Sequence, residues 1–323
     1  MRRWIAWPAL CVALAALMTT PAGAQRLSDR NVTIVVPTTP GTSMDFLARL
    51  VADELKRRWD QTVVVENKAG ASHTIAIRMV AGSEPDGLTL LMAANTLTTN
   101  VGFFKTMPYD PVKSLTPIIE MARGSMALAV HPSVKAASLK EFVEIVKKRP
   151  NEINYASTGP GTPQHLAMEL FTSRAGIKMT HVPYPSSAGA IRELVGGFVS
   201  TMFIPSHQSE PLYEAKRINL LAVSGKLRLA RAPQVPTLSE AGFDGVNVDS
   251  WYGLLGPAGI PADIVNRYNA VITEMLQSPK FKTAYDGHGL RIAGGTPSSF
   301  AGLIAGDVDR WTRIVKEAGI VTK

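Results

Sequence analysis

Val32-Thr-Ile-Val-Val-Pro-Thr-Thr-Pro-Gly-Thr-Ser-Met-Asp45 decides the fold. Five residues of β character run into a turn rich in hydroxyls and glycine. An amphipathic helical pattern follows, with Phe46, Leu47, Leu50, Val51 and Leu55 on one face as far as Trp59. The uninterrupted apolar run predicts a strand whose sheet is covered on both faces. The handover recurs at Ile153–Ala156, where Ser157-Thr-Gly-Pro-Gly-Thr-Pro-Gln-His165 opens the next helix. At such a handover the first helical N–H groups lack intrahelical partners, and the helix dipole favours negative charge. Two turns of this kind facing each other would clamp a small anion.

The same grammar extends outward from both turns. Thr62–Val65 and Leu88–Ala93 read as strands, with a helix over Thr74–Ala81 between them. This βαβαβ order implies parallel strands with right-handed crossovers. A second set follows: strands at Ala127–Val130, Ile153–Ala156, Met179–Val182, Thr201–Ile204 and Asn219–Val223, with helices at Leu139–Lys148, His165–Ala175 and Ala188–Val195. An extended run at Trp251–Leu255, a helix from Ala262 to Leu276 and a last helix from Pro297 to about Ala318 complete the chain. The expected architecture is bilobal α/β: two parallel-type sheets with helices on both faces and a hinged cleft at the strand C-termini, where open α/β sheets bind ligands. Crossings are expected near 121–127 and 246–252. Lobe 1 then comprises 25–120 and 250–323, and lobe 2 comprises 121–249.

The N-terminus carries Arg2-Arg3, an apolar run from Trp4 to Met18, and Ala22-Gly23-Ala24 with small residues suited to cleavage after Ala24. This is the pattern of a secretory signal peptide over 1–24, with an apolar run too short to span a bilayer; a short membrane anchor is the alternative reading. Cys11, the only cysteine, lies inside it. The mature chain therefore has no thiol, which excludes disulfides, thiolate metal sites and a cysteine nucleophile. An exported, periplasmic protein is the expectation. Loss of Arg2 and Arg3 lowers the formal charge from +8 to +6. That basic excess is dispersed, with no basic stripe interleaved with aromatics, so nucleic acid is not an expected partner. About 300 mature residues exceed one ordinary core and suit two α/β domains.

Enzyme signatures are missing. Gly-x-Ser-x-Gly, His-Glu-x-x-His, a Walker lysine and the dinucleotide Gly-x-Gly-x-x-Gly do not occur. Ser157 with His165 has no orienting carboxylate identified beside it. The expectation is no enzyme, no metal and no cofactor.

Several segments, in order along the mature chain, carry a resemblance: Ile34-Val-Val-Pro37 with Pro40-Gly41 and Asp45; Val63-Val-Val-Glu-Asn67 with Ala69-Gly70-Ala71; Pro85-Asp86-Gly87; and Pro108-Tyr-Asp-Pro-Val-Lys113. Beyond the middle come Asn154-Tyr-Ala-Ser157 with Gly159, Gly161 and His165-Leu166; His181-Val-Pro-Tyr184; Val235-Pro-Thr237; and Ser250-Trp251 with Gly253-Leu254 and Pro257-Ala258-Gly259. The chain resembles the extracytoplasmic solute receptors of tripartite tricarboxylate transporters, the TctC or Bug receptors. The resemblance implies a type II, Venus-flytrap periplasmic binding protein that grips one carboxylate with the two opening turns and delivers its ligand to a membrane permease as a monomer. A receptor of the same fold feeding a sensor kinase, and a carboxylate-processing enzyme, are the alternatives.

Departures from the family pattern bear on selectivity. Thr38 stands where an aromatic is usual, Thr42 where a second Gly is usual, Ser72-His73 for a common Gly-Gly, Pro185 for a common Lys, and Ile204 where Asp often follows. Without that Asp an ammonium group has no partner, which argues against an amino-acid ligand. Thr42 and Ser43 are candidate carboxylate donors, with helix capping as the competing role. Asp45 reads as a helix-start acid. Ser157, Thr158 and Thr162 are candidate contacts on the second turn, with Gly159 and Gly161 freeing its backbone for close approach. His165 reads as a residue that fixes that loop. His73, Asn95 and Tyr184 are further candidate contacts, and Thr38, His73, Ile204 and Ser206 are the expected selectivity walls.

Overall fold

The computed structural model describes residues 26–317, apart from 103, 105, 230 and 247. The segment read as a signal peptide lies outside the described residues. Two sheets form. The first contains β1 (Val32–Val36), β2 (Val63–Asn67), β3 (Thr89–Ala94), β4 (Leu115–Gly124), β10 (Ser250–Pro257) and β11 (Leu290–Ile292), in the order β11-β4-β10-β3-β1-β2. The second contains β5 (Met126–Val130), β6 (Asn154–Ser157), β7 (Thr180–Pro183), β8 (Thr201–Pro205) and β9 (Asn219–Val223), in the order β7-β6-β8-β5-β9.

Period-two alternation explains why the strands read as continuous apolar runs. Val32, Ile34 and Val36 enter one core with Leu47 and Leu55 of α1 (Ser43–Trp59) and Tyr268 of α8 (Ala262–Gln277). Val35 enters the opposite core with Ile77 of α2 (Thr74–Ala81) and Phe300 of α10 (Pro297–Glu317). β8 does the same in the second sheet. Phe203 packs with Phe142 of α4 (Leu139–Lys148) and Phe171 of α5 (Pro163–Ala175), while Met202 and Ile204 pack with Leu194 of α6 (Ser187–Val195).

The expected parallel sheets are mixed. β1 pairs in parallel with β2 and β3, and β6 with β7 and β8. β5 is antiparallel to β8 and β9, and β10 to β3 and β4. Most strands run toward the cleft; β5 and β10 begin at it, because each carries the chain in from the other sheet, so they run against their neighbours. The first crossing falls at Ser125, between β4 and β5. Residues 121–124, assigned above to the second lobe, belong to the first sheet, where Gly124 pairs with Ser250 and Leu290. The crossings are tied together by Ser125, whose hydroxyl donates to Asp249 at 3.1 Å.

The short α3 (Thr96–Thr99) follows β3 and α9 (Pro279–Gly287) follows α8, while α10 is shared between the sheets. Phe300 and Ile304 pack in the first, where Gly253 of β10 leaves the space that the Phe300 ring fills, whereas Trp311 and Val315 join the core of the second. Its Asp307 is buried and accepts from the Trp251 indole N–H at 2.6 Å.

Candidate functional site

A cleft of about 250 Å³ opens where the strands of both sheets end. The first turn supplies Thr38, Thr42 and Ser43 to its wall. Thr42 is the N-cap of α1: its Oγ1 accepts from Asp45 N–H at 3.3 Å and lies 2.7 Å from Thr38 Oγ1. The N–H groups of Ser43 and Met44 are left without intrahelical partners at the cleft edge. Behind the turn, Asp45 is buried and accepts from Gly41 N–H, the Asn67 amide and both forks of Arg49. Burial alone would raise its pKa. The hydrogen bonds from Arg49, Gly41 and Asn67 outweigh that and hold it below 3.8. Asp45 thus anchors the turn rather than facing a ligand.

The second turn directs most of its polar atoms inward. Ser157 Oγ accepts from Gly159 N–H at 3.0 Å and lies 2.7 Å from His181 Nε2. Thr162 donates to Gly159 O at 2.7 Å, and Gly161 N–H donates to His165 Nδ1 at 3.3 Å. Gly159 and Gly161 have φ of +118° and +77°, which an L side chain adopts only with strain. α5 then starts with Pro163, whose missing N–H is one no helical turn would have used. Thr158, Thr162 and Gln164 face the cleft.

Two further helices begin there. Ser186 caps α6 by accepting from Gly189 N–H, and Ser186 and Ser187 line the cleft. α7 (Ser206–Glu214) follows Pro205, which has no capping side chain, and presents His207 and Gln208. Opposite them, Ala71, Ser72 and His73 all have positive φ, from 45° to 72°. Ser72 and His73 therefore occupy left-handed positions that glycine adopts freely, at a cost of order 1 kcal/mol each. Hydrogen bonds hold the strained loop: Ser72 Oγ donates across the cleft to Pro160 O at 2.8 Å, and Asn100 Nδ2 donates to Ser72 O at 2.9 Å. Thr99 also reaches across, donating to Gly161 O at 2.6 Å.

Among the described residues no Asp, Glu, Lys or Arg lines this cleft. Its histidines favour the neutral form: burial lowers His73 to about 4, and burial together with His288 lowers His207 to about 4. Four helix starts and a ring of hydroxyls therefore make a positive, donor-rich but uncharged pocket. Among the described residues no group of three His, Cys, Asp or Glu could hold a metal ion, and no helix is long and apolar enough to cross a membrane.

Residues 47–320 match the tripartite tricarboxylate transporter family receptor, TctC. The chain belongs to this family. BugT of Bordetella pertussis is 30% identical over 325 residues, covering 100% of this chain and 99% of its own. Among solved structures, R. palustris Rpa4515 with adipate is 34% identical, with a TM-score of 0.87 over 91% of this chain and 99% of its own. MatC from Rhodopseudomonas palustris with bound malate is 28% identical, with a TM-score of 0.83 over 89% and 99%. The family and its solved members are periplasmic solute-binding receptors rather than enzymes.

In this TctC-family receptor the cleft brings together Thr38, Thr42, Ser43, His73, Thr158 and Thr162 of the residues singled out from sequence. The others stand behind it. Ser157, Gly159 and Gly161 shape the second turn from within. Asn95 is 1% exposed and turned toward Asp249 O. Tyr184 packs against the apolar layer that contains Ile204, which is fully buried because β8 is covered on both faces. Ser206 donates to Gly289 O, joining the second sheet to the first. Sequence reasoning missed Thr96, Ser186, His207 and Gln208. A signal for three of these existed: Tyr184-Pro-Ser-Ser187 and Ile204-Pro-Ser-His-Gln208 repeat the strand-to-helix handover of the first two turns.

Proposed function

We propose that this receptor captures a small organic carboxylate in the interlobe cleft and delivers it to the membrane permease of a tripartite transporter. One observation carries the reading: the cleft converges four helix starts and many hydroxyls, and among the described residues no acidic side chain, lysine or arginine lines it. Such a wall stabilises an anion by dipoles and hydrogen bonds, and gives an ammonium or other cation no counter-charge. The relatives with adipate and malate bind molecules of this class. The segment from 1 to 24 serves as a cleavable leader for export to the periplasm. Residues 25–124 with the chain after 250 form one lobe and 126–249 the other, and the pair closes by bending at Ser125 and Asp249.

A thermal-shift screen of the mature protein against a carboxylate library tests this. A ligand at 100 times its Kd stabilises by about 2.7 kcal/mol. Carboxylates that raise the melting temperature support the reading. Stabilisation by amines or neutral sugars alone would sink it. Uptake of the best ligand in cells lacking either the receptor or the permease subunits tests the transport step.

A further inference from the structure

Behind the second turn stand His165, His181, Glu169 and Tyr155, none of which lines the cleft. The ring centroids of the two histidines are 4.3 Å apart, and Tyr155 stacks on His181 at 4.9 Å. His165 meets the backbone of the turn: its Nδ1 accepts the Gly161 N–H at 3.3 Å. That bond fixes the neutral tautomer, because Nδ1 must keep its lone pair and the ring proton must sit on Nε2. Nε2 lies 4.0 Å from Glu169 Oε1, on a carboxylate that also accepts from the Tyr155 hydroxyl. The carbonyls of the same segment face the other side of the cleft. Pro160 O accepts from Ser72 Oγ at 2.8 Å, and Gly161 O from Thr99 Oγ1 at 2.6 Å. Ser72 follows β2 and Thr99 follows β3, so both donors come from the first sheet. The segment that His165 holds is therefore the one that the opposite lobe grips.

We infer that His165, oriented by Glu169, is the positioning residue of the second turn, and that a second proton on its imidazole opens the cleft and releases the bound carboxylate. This rests on the carboxylate-receptor reading and adds its regulation. A doubly protonated imidazole has no acceptor. Proton uptake at Nδ1 sets two donors, Nδ1–H and Gly161 N–H, against each other, so the bond is lost and a buried N–H goes unpaired. Freed of that hold, the Pro160–Gly161 segment leaves the shape that Ser72 and Thr99 grip. Gly159 stays held by Ser157 and Thr162, which confines the change to that segment. Glu169 directs the proton, because a carboxylate beside Nε2 favours positive charge on His165. Protonation of His181 would leave the turn intact: its Nε2, 2.7 Å from Ser157 Oγ, can donate there in either charge state. The short distance between the rings also disfavours charge on both. β8 and α3, which pack on α5 as well, carry no titratable side chain. One proton on His165 is thus coupled both to the shape of the turn and to closure.

Calorimetric titration of the mature protein at pH 8, 7, 6 and 5.5 tests the coupling, with acetate, malate, adipate and benzoate as probes and the tightest carried forward. His165→Asn places an amide oxygen where Nδ1 stands and cannot take the proton. The wild type should lose about tenfold more affinity than this variant between pH 8 and 5.5, the range in which histidines titrate. The ligand's own titration is common to both proteins. His165→Gln sets its amide one bond farther out and leaves Gly161 N–H unpaired, so at pH 8 it should bind about tenfold more weakly than His165→Asn. Glu169→Gln keeps an acceptor for Tyr155 but removes the charge, and should move the acid loss about one pH unit lower. Identical pH profiles for the wild type and His165→Asn would overturn the inference. Amide and imidazole NMR of the unliganded wild type reads the same step without a ligand and without a variant: the Gly161 N–H should titrate together with the His165 ring, and independent titration would also overturn it. If none of the four acids binds the wild type at pH 8 while Gly161 and His165 titrate together, it is the carboxylate-receptor reading that has failed, and the release step falls with it.

Discussion

The two opening turns share a sequence grammar and differ in wiring. The turn at 38–45 directs Thr38, Thr42 and Ser43 at the cleft and is held from behind by an ionised carboxylate, Asp45, in the grip of Arg49 and Asn67. The turn at 157–165 uses Ser157 and Thr162 to hold its own glycine backbone, through neutral hydrogen bonds to Gly159. A cluster of hydroxyls at a strand-to-helix junction thus has two meanings. Where an acid anchors the turn, the hydroxyls of Thr38 and Thr42 stay on the cleft wall, bonded to each other, and only the N-cap bond of Thr42 goes to the backbone. Where glycines must be held at positive φ, the hydroxyls do the holding.

The largest effect should come from removing one ligand-facing hydroxyl on each turn. Thr42→Ala with Thr158→Ala should weaken carboxylate binding by about 100-fold, since each lost hydrogen bond to a charged group is worth roughly 1.5 kcal/mol. Isothermal titration measures it. The single variants sharpen the contrast: Thr42→Ala should also cost about 1 kcal/mol of stability as a lost N-cap, whereas Thr158→Ala, which gives up a bond to the Gln164 side chain, should cost almost none. Unchanged affinity in the double variant would make both turns purely structural.

Next come the anchors. Asp45→Ala strands Gly41 N–H, the Asn67 amide and Arg49, and should destabilise by about 2 kcal/mol in chemical denaturation; the half-exposed Arg49 limits the loss because water can solvate it. Ser157→Ala leaves Gly159 N–H and His181 without that oxygen and should cost about 1 kcal/mol. The comparison breaks if Ser157→Ala abolishes binding while the fold stays intact, because Ser157 would then touch the ligand.

How much of this was legible in the sequence follows from which signals are local. Val32–Val36 and the helix after Asp45 could be read because apolar period and capping chemistry are written in adjacent residues. β4 could not: Pro117, Glu120 and Arg123 interrupt its pattern, and it is a strand because β10 and β11 pair with it. α7 was hidden by Pro211 within it, so His207 and Gln208 went unnoticed. Asn95 and Thr96 show the finest failure. Sequence places both at the end of β3, but only the backbone's course at Asn95 decides that the threonine, not the asparagine, lines the cleft. Ile204 misled for another reason: its family position suggested a ligand wall, while the two-sided cover of β8 makes it core.

The smallest effect is also the most direct probe of the wiring, and it lies in the pH dependence of stability. Asp45 has its folded pKa lowered below its unfolded value of 3.8. Its contribution is therefore fully present above that value and is lost as pH falls through the lowered folded pKa, since the unfolded chain then binds its proton first. The stability gap between wild type and Asp45→Asn should hold steady from pH 7 to 5 and shrink progressively below pH 4. Thr162→Val removes a neutral hydrogen bond to Gly159 O from the second turn and should cost about 1 kcal/mol. No ionisation enters that bond, so its gap should stay flat across the same acid window. Urea titrations of the three proteins at pH 7, 5, 4 and 3 measure both gaps. Parallel pH profiles for the two variants would mean that the first turn is not held by charge, and the distinction between an acid-anchored and a hydroxyl-anchored turn would collapse.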